Sequence, residues 1–125
     1  MRAQRAYQAV QNTTSVASAN PVGLTVLLFE RISDLLTKAE SAFLHKDIEA
    51  RAKHTSKAIE LIELGLVPSL DRERGGAIAE NLSFLYKHWV RIIMDSNLKG
   101  DPTELAGVKS QIRDIVSAFR EVSTN

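Results

Sequence analysis

Apolar residues recur at every third or fourth position through most of this chain, the spacing of one helix face. The first long run carries Leu24, Leu27, Leu28, Ile32, Leu35, Leu36, Ala39, Ala42 and Phe43. Asn20 is placed to cap it, with Pro21 at the first helical position, where a missing N–H costs nothing. His45 and Lys46 suit its C-terminus. Asp47 predicts the cap of a second helix bearing Ile48, Ala52, Ile59 and Ile62, stopped by Gly65 and Pro68. Residues 66–76 read as a polar connection ending in two glycines. A third helix is predicted from Ala77 to Leu98, with Ile78, Leu82, Leu85, Tyr86, Trp89, Ile92 and Ile93 on one broad face and Gly100 as its stop. Asp101-Pro102-Thr103-Glu104 has the spacing of a capping box and opens a fourth helix. Leu105, Val108, Ile112, Ile115, Val116, Phe119 and Val122 form its stripe. No useful stretch alternates apolar and polar residues as a half-buried strand would. Four helices with short connections predict an all-α fold, an antiparallel up-down four-helix bundle over residues 20–122, with 123–125 as a tail.

Ahead of the bundle, Ala3, Ala6, Tyr7 and Val10 fall at i, i+3, i+4 and i+7, and a polar segment runs from Asn12 to Ala19. Two helical turns are not stable alone in water. Tethered by a slack linker, they can dock on an apolar face, leave it and be displaced. Residues 1–19 are therefore read as a short amphipathic lid segment with its linker. The stripes of helices one and three are wider than a two-position seam, which fits either a thick core or an exposed groove receiving a partner helix. The lid favours the groove, because an empty apolar groove needs covering.

Charge and composition narrow the chemistry. The 125 residues carry 16 basic and 15 acidic side chains, a net charge of +1, and the two signs are interleaved. Phosphate-backbone binding leaves a basic stripe, so no nucleic-acid partner is expected. The absence of cysteine rules out disulfides and thiolate metal sites and fits a reducing compartment. No apolar run approaches a membrane span and the first residues lack a signal peptide's apolar core, so a cytoplasmic location without stable membrane insertion is expected.

The three histidines form no metal-ligand cluster, no Glu-x-x-His pair occurs, and Gly75-Gly76 is no phosphate loop. No catalytic residue, metal or cofactor is expected, which points to a binding module and not an enzyme. One spacing supports a rival. His54 and Lys57 stand at i, i+3 on a bundle helix, the arrangement of a histidine phosphotransfer domain, although Ala58 occupies a position where that family prefers glycine.

Landmarks along the chain also carry a resemblance. Ala6-Tyr7-Gln8 is followed by Pro21, Leu24-Thr25 and Leu28-Phe29-Glu30, then by Lys46-Asp47-Ile48-Glu49. Further on come Gly75-Gly76-Ala77-Ile78-Ala79-Glu80-Asn81-Leu82, Leu85-Tyr86, Arg91 and Ser96-Asn97-Leu98-Lys99-Gly100-Asp101. In this order and spacing the chain resembles the FliS family of flagellar export chaperones over essentially its whole length. The resemblance implies a cytoplasmic four-helix bundle that holds the disordered C-terminal segment of flagellin. It implies too that binding prevents premature polymerisation and assists delivery to the flagellar type III export apparatus. In that family the N-terminal segment covers part of the bundle and takes part in the exchange with flagellin, a role that falls here on Ala6 and Tyr7. Expected flagellin contacts are Ala6, Tyr7 and Val10 in the lid, Leu24, Leu27 and Leu28 on helix one, and Ile78, Asn81, Leu82 and Leu85 on helix three. Val10 and Phe29 stand where the family often has tyrosine, keeping apolar bulk and dropping a hydroxyl.

Overall fold

A computed structural model describes residues 21–123. They form α1 (Pro21–Leu44), α2 (Ile48–Leu61) continued by a π-helical turn (Ile62–Leu66), α3 (Arg72–Lys99) and α4 (Leu105–Ser123). No strand occurs among the described residues. Asn20 and the lid residues Ala6, Tyr7 and Val10 lie outside them.

The helices form the expected antiparallel bundle. Around the ring α1 lies between α2 and α4, α3 does the same on the opposite side, and α1 and α3 are diagonal. Side chains record the directions. Glu40 of α1 pairs with Lys109 of α4, and ten residues back along α1 Glu30 pairs with Arg120. At the far end Arg51 of α2 donates from Nε to the Asn97 side chain of α3 at 3.0 Å and from a terminal nitrogen to the Asn97 carbonyl at 3.1 Å. The same guanidinium lies 4.9 Å from the Phe43 ring centre, so one residue ties the ends of α1, α2 and α3.

The corner between α1 and α2 uses two local devices. Lys46 adopts a left-handed conformation, φ 57°, and the Asp47 amide returns to the Ala42 carbonyl at 2.9 Å. The Asp47 side chain then accepts the Ala50 amide at 3.0 Å and caps α2. The His45 ring also closes back on the Ser41 carbonyl, 2.8 Å from Nδ1, which already accepts the His45 amide at 3.0 Å.

Three boundaries differ from the sequence expectation. Gly65 does not stop the second helix. The chain widens into a π turn, with the Val67 amide bonded to the Ile62 carbonyl at 2.9 Å, and Pro68 follows it. A Cβ on Gly65 would sit 3.2 Å from Leu28, so glycine here lets α1 approach the turn closely. The third helix begins earlier, at Arg72, capped by Asp71 through the Arg74 amide at 3.1 Å. It is broken at Gly76 (φ 52°, ψ −127°), and continuous helix resumes at Ala77, the expected start. The capping box before α4 does not form. The Asp101 amide is spent on the Ser96 carbonyl at 3.1 Å, closing α3 at Gly100, and its carboxylate accepts from the Thr103 amide and hydroxyl instead. Those bonds to Thr103 hold the exposed Asp101 carboxyl below its ordinary pKa.

The core is built around Phe29, fully buried on α1. Its ring centre lies 6.2 Å from Tyr86 and 6.2 Å from Trp89 on α3, and 5.8 Å from Phe119 on α4, the last two edge to face. The Trp89 indole N–H donates to the Gln111 side chain at 2.8 Å, so the ring is buried with its polar edge satisfied. Val22, Val26, Ile32, Leu36, Ile62, Leu66, Ile93, Leu105 and Ile112 fill the space around this cluster. Burial also pushes the Tyr86 hydroxyl above its ordinary pKa.

Two stability outcomes follow from this geometry. Gly76→Ala forces a side chain into a conformation that L residues avoid and costs about 1–3 kcal/mol. Gly107→Ala, in helix with open space around the new methyl, gains about 0.5–1 kcal/mol. Urea unfolding of the two variants reads both signs. The second outcome concerns alkali. A tyrosine pKa raised by folding stabilises the native state fully below the unfolded value near 10, and that contribution fades as pH rises beyond it. The melting temperature should therefore fall above about pH 10, with a shallower fall in Tyr86→Phe.

Candidate functional site

The described site residues from sequence all lie in the half of the bundle where α1 and α3 begin and α2 and α4 end. They do not share one face. Leu28 packs on Gly65 of the π turn and is half-buried. Leu24 and Leu27 point outward, 50% and 63% exposed, because Val22, Thr25, Val26 and Phe29 occupy the buried side of α1. On α3, Ile78 is 48% exposed and Asn81 is exposed, whereas Leu82 and Leu85 are half-buried against the core. Tyr86, Trp89 and Ile93 take the core positions of the predicted stripe, together with the small residues Ala79, Ser83 and Ser96. The broad stripes thus divide into an inner face and an outer apolar fringe.

The helical wheel separates two flanks of α3. Leu85, Trp89 and Ile92 recur at i, i+4 and i+7, and the Trp89–Gln111 bond turns this flank toward α4. Val90, Met94 and Leu98 form a second ridge at i, i+4 and i+8, which faces α2. Between that ridge and α2 lie two adjoining hollows. One, ≈ 450 Å³, is lined by Glu63 and Val67 opposite Tyr86, Lys87, Val90, Arg91, Met94 and Asp95. The other, ≈ 400 Å³, lies between Thr55, Ser56 and Ile59 of α2 and Asn97 and Leu98 of α3. Glu63 and Met94 border both, so the hollows form one groove. None of its residues was among the sequence candidates. The signal available in the sequence was the Val90-Met94-Leu98 ridge, which stands apart from the main stripe.

Among the described residues no group of three His, Asp or Glu side chains is placed to hold a metal ion. His54 is half-buried in a hollow of ≈ 300 Å³ with Lys38, Ser41 and His45, and Lys57 is engaged with Glu60 at 3.4 Å. The spacing of a phosphotransfer pair is present, but its lysine already faces a carboxylate and Ala58 beside it is wholly buried. No described helix is long and apolar enough to cross a membrane.

Comparison with known proteins agrees with the bundle and its landmarks. The family model described as "Flagellar protein FliS" matches residues 3–125. The flagellar secretion chaperone FliS of Salmonella typhimurium is 34% identical over 119 residues, covering 95% of this chain and 88% of the relative. FliS of Escherichia coli is 31% identical over 117 residues, covering 94% and 86%. The flagellar secretion chaperone FliSB of Pseudomonas aeruginosa is 32% identical over 123 residues, covering 98% and 97%. With a family match over nearly its whole length and relatives above 30% identity, this chain belongs to the FliS family of flagellar secretion chaperones.

Proposed function

We propose that this protein is a cytoplasmic, non-enzymatic chaperone that binds the disordered C-terminal segment of flagellin, keeps it from polymerising early and assists its delivery to the flagellar type III export apparatus. The observation that carries the reading is a pair of outward apolar strips, Leu24 and Leu27 on α1 and Ile78 on the diagonal α3, on helices whose core faces are already filled by other residues. Large apolar side chains left outside a complete core are available to a partner. A disordered segment loses conformational entropy when it is ordered, so it needs an extended apolar surface in compensation and can still be released. Leu28, Leu82 and Leu85 are half-buried and Asn81 is exposed on the same two helices, and they complete the proposed contact set. Ala6, Tyr7 and Val10 act as the lid that covers part of this surface and yields to flagellin. The small net charge and mixed signs leave apolar fit, more than electrostatic steering, to select the partner.

A double variant, Leu27→Ala with Ile78→Ala, tests the contact surface. Both residues are outside the core, so stability should change by no more than about 0.5 kcal/mol per site. Affinity for a flagellin C-terminal peptide, measured by calorimetry, should fall about tenfold as buried apolar area is lost. Unchanged affinity would remove these residues from the binding surface. Deleting residues 1–15 tests the lid separately: the helical signal should persist and peptide affinity should change, and identical binding would sink the lid.

A further inference from the structure

The groove between α2 and α3 lies on the flank of α3 turned away from Leu85 and Ile92, and the proposed contact residues do not include it. From Lys87 to Leu98 it runs about 17 Å at 1.5 Å per residue, close to three turns of a helix. Its apolar lining is Ile59, Val67, Val90, Met94 and Leu98, with Met94 48% exposed and able to adapt its shape to what lies on it. Its edges are charged, and the charges are not consumed internally. Among the described residues Lys87, Arg91, Glu63 and Asp95 make no ion pair. Lys87 and Arg91 stand one turn apart on the α3 edge, and Glu63 stands on the α2 edge opposite them. Asp95 continues the α3 edge beyond Arg91, so the basic pair is confined to the end near Val67.

We infer that this groove is a second docking site, which takes an amphipathic helix of about three turns from a protein other than flagellin, with acidic residues on one flank and basic residues on the other. The acidic flank meets Lys87 and Arg91 and the basic flank meets Glu63, while the apolar face at i, i+3/i+4 and i+7 lies over Val90 and Met94. Opposite signs on facing edges select a bipolar helix. A lipid surface or a nucleic acid would need one sign along both edges. The inference rests on the proposed flagellin reading only in placing flagellin elsewhere, so both partners can be held at once.

The test uses the full chain and two synthetic peptides of about 14 residues with the same leucine stripe. One has Glu on one flank and Lys on the other, and the second has Lys on both. Fluorescence anisotropy should show the wild type preferring the bipolar peptide. In Lys87→Glu with Arg91→Glu both edges become acidic, so the bipolar peptide should weaken about tenfold and the all-lysine peptide should gain. Both side chains are exposed, and circular dichroism checks that the bundle persists. A flagellin C-terminal peptide at saturation should leave the bipolar peptide bound. A peptide preference unchanged by the double substitution would overturn the inference. Displacement by the flagellin peptide would make the groove part of the flagellin site. Failure of flagellin to bind at all, with the bipolar peptide still held, would sink the flagellin reading and leave the groove standing. Binding of the bipolar peptide only after removal of residues 1–11 would make the chain's own N-terminus the occupant. Self-association lost in the double variant would make the occupant a second copy. Either of the last two would also overturn the inference.

Discussion

The bundle depends on the burial of one ring. Helices α1 and α3 are diagonal, and Phe29 bridges them by meeting Tyr86 and Trp89 while its other side meets Phe119 of α4. Each such aromatic pair contributes about 0.5–1.5 kcal/mol beyond the area it buries. Truncating a buried phenylalanine costs about 3–5 kcal/mol, a large part of the stability of a small domain. The same ring sets the rotation of α1. With Phe29 inward, Leu27 lies about 200° away around the helix and Leu24 about 140° away, so both face outward. A tyrosine at this position would bring a hydroxyl into the centre of the core. Phenylalanine avoids that burial cost, and its apolar bulk belongs to the core.

Packing therefore separates the side chains that hold the core from the large apolar ones left outside it. The inner face of α3 is made of Ala79, Ser83, Tyr86, Trp89, Ile93 and Ser96, with three large residues in the middle flanked by small ones. Ser83 reaches inward and accepts from Arg72 at 2.8 Å, so even its hydroxyl is tied into the fold near the start of α3. Leucine and isoleucine on the outer fringe are then available for a partner. For a chaperone this division is useful, since exchange of cargo can proceed on a framework that stays folded. FliS family membership gives the fringe a chemical context, and the proposed flagellin segment is a partner that needs apolar contact to become ordered.

Much of the architecture could be read from the residues. Asp47 caps α2, Gly100 closes α3, Ala77 begins the unbroken part of α3, and the stripe from Leu105 to Phe119 faces inward. The phase of α1 and α3 was harder to read. Leu24, Leu27 and Ile78 outrank Thr25, Ser83 and Ser96 in hydrophobicity, yet the smaller residues are buried where helices approach closely and the larger ones are left outside. The π turn had no sequence signature, because Gly65 reads as a stop until its contact with Leu28 is known. The α2–α3 groove was invisible for another reason. Its walls come from two helices, and its charges resemble any solvated face until Lys87, Arg91 and Glu63 are seen across a shared apolar floor.

The central claim is that the outer apolar fringe binds flagellin while the core around Phe29 stays closed. A methyl-resolved NMR titration with a flagellin C-terminal peptide tests it most directly. Large shifts are expected at the methyl groups of Leu24, Leu27 and Ile78, with those of Leu36, Ile93 and Ile112 nearly unmoved. Perturbations centred on the three core residues, or none at the three outer ones, would contradict it.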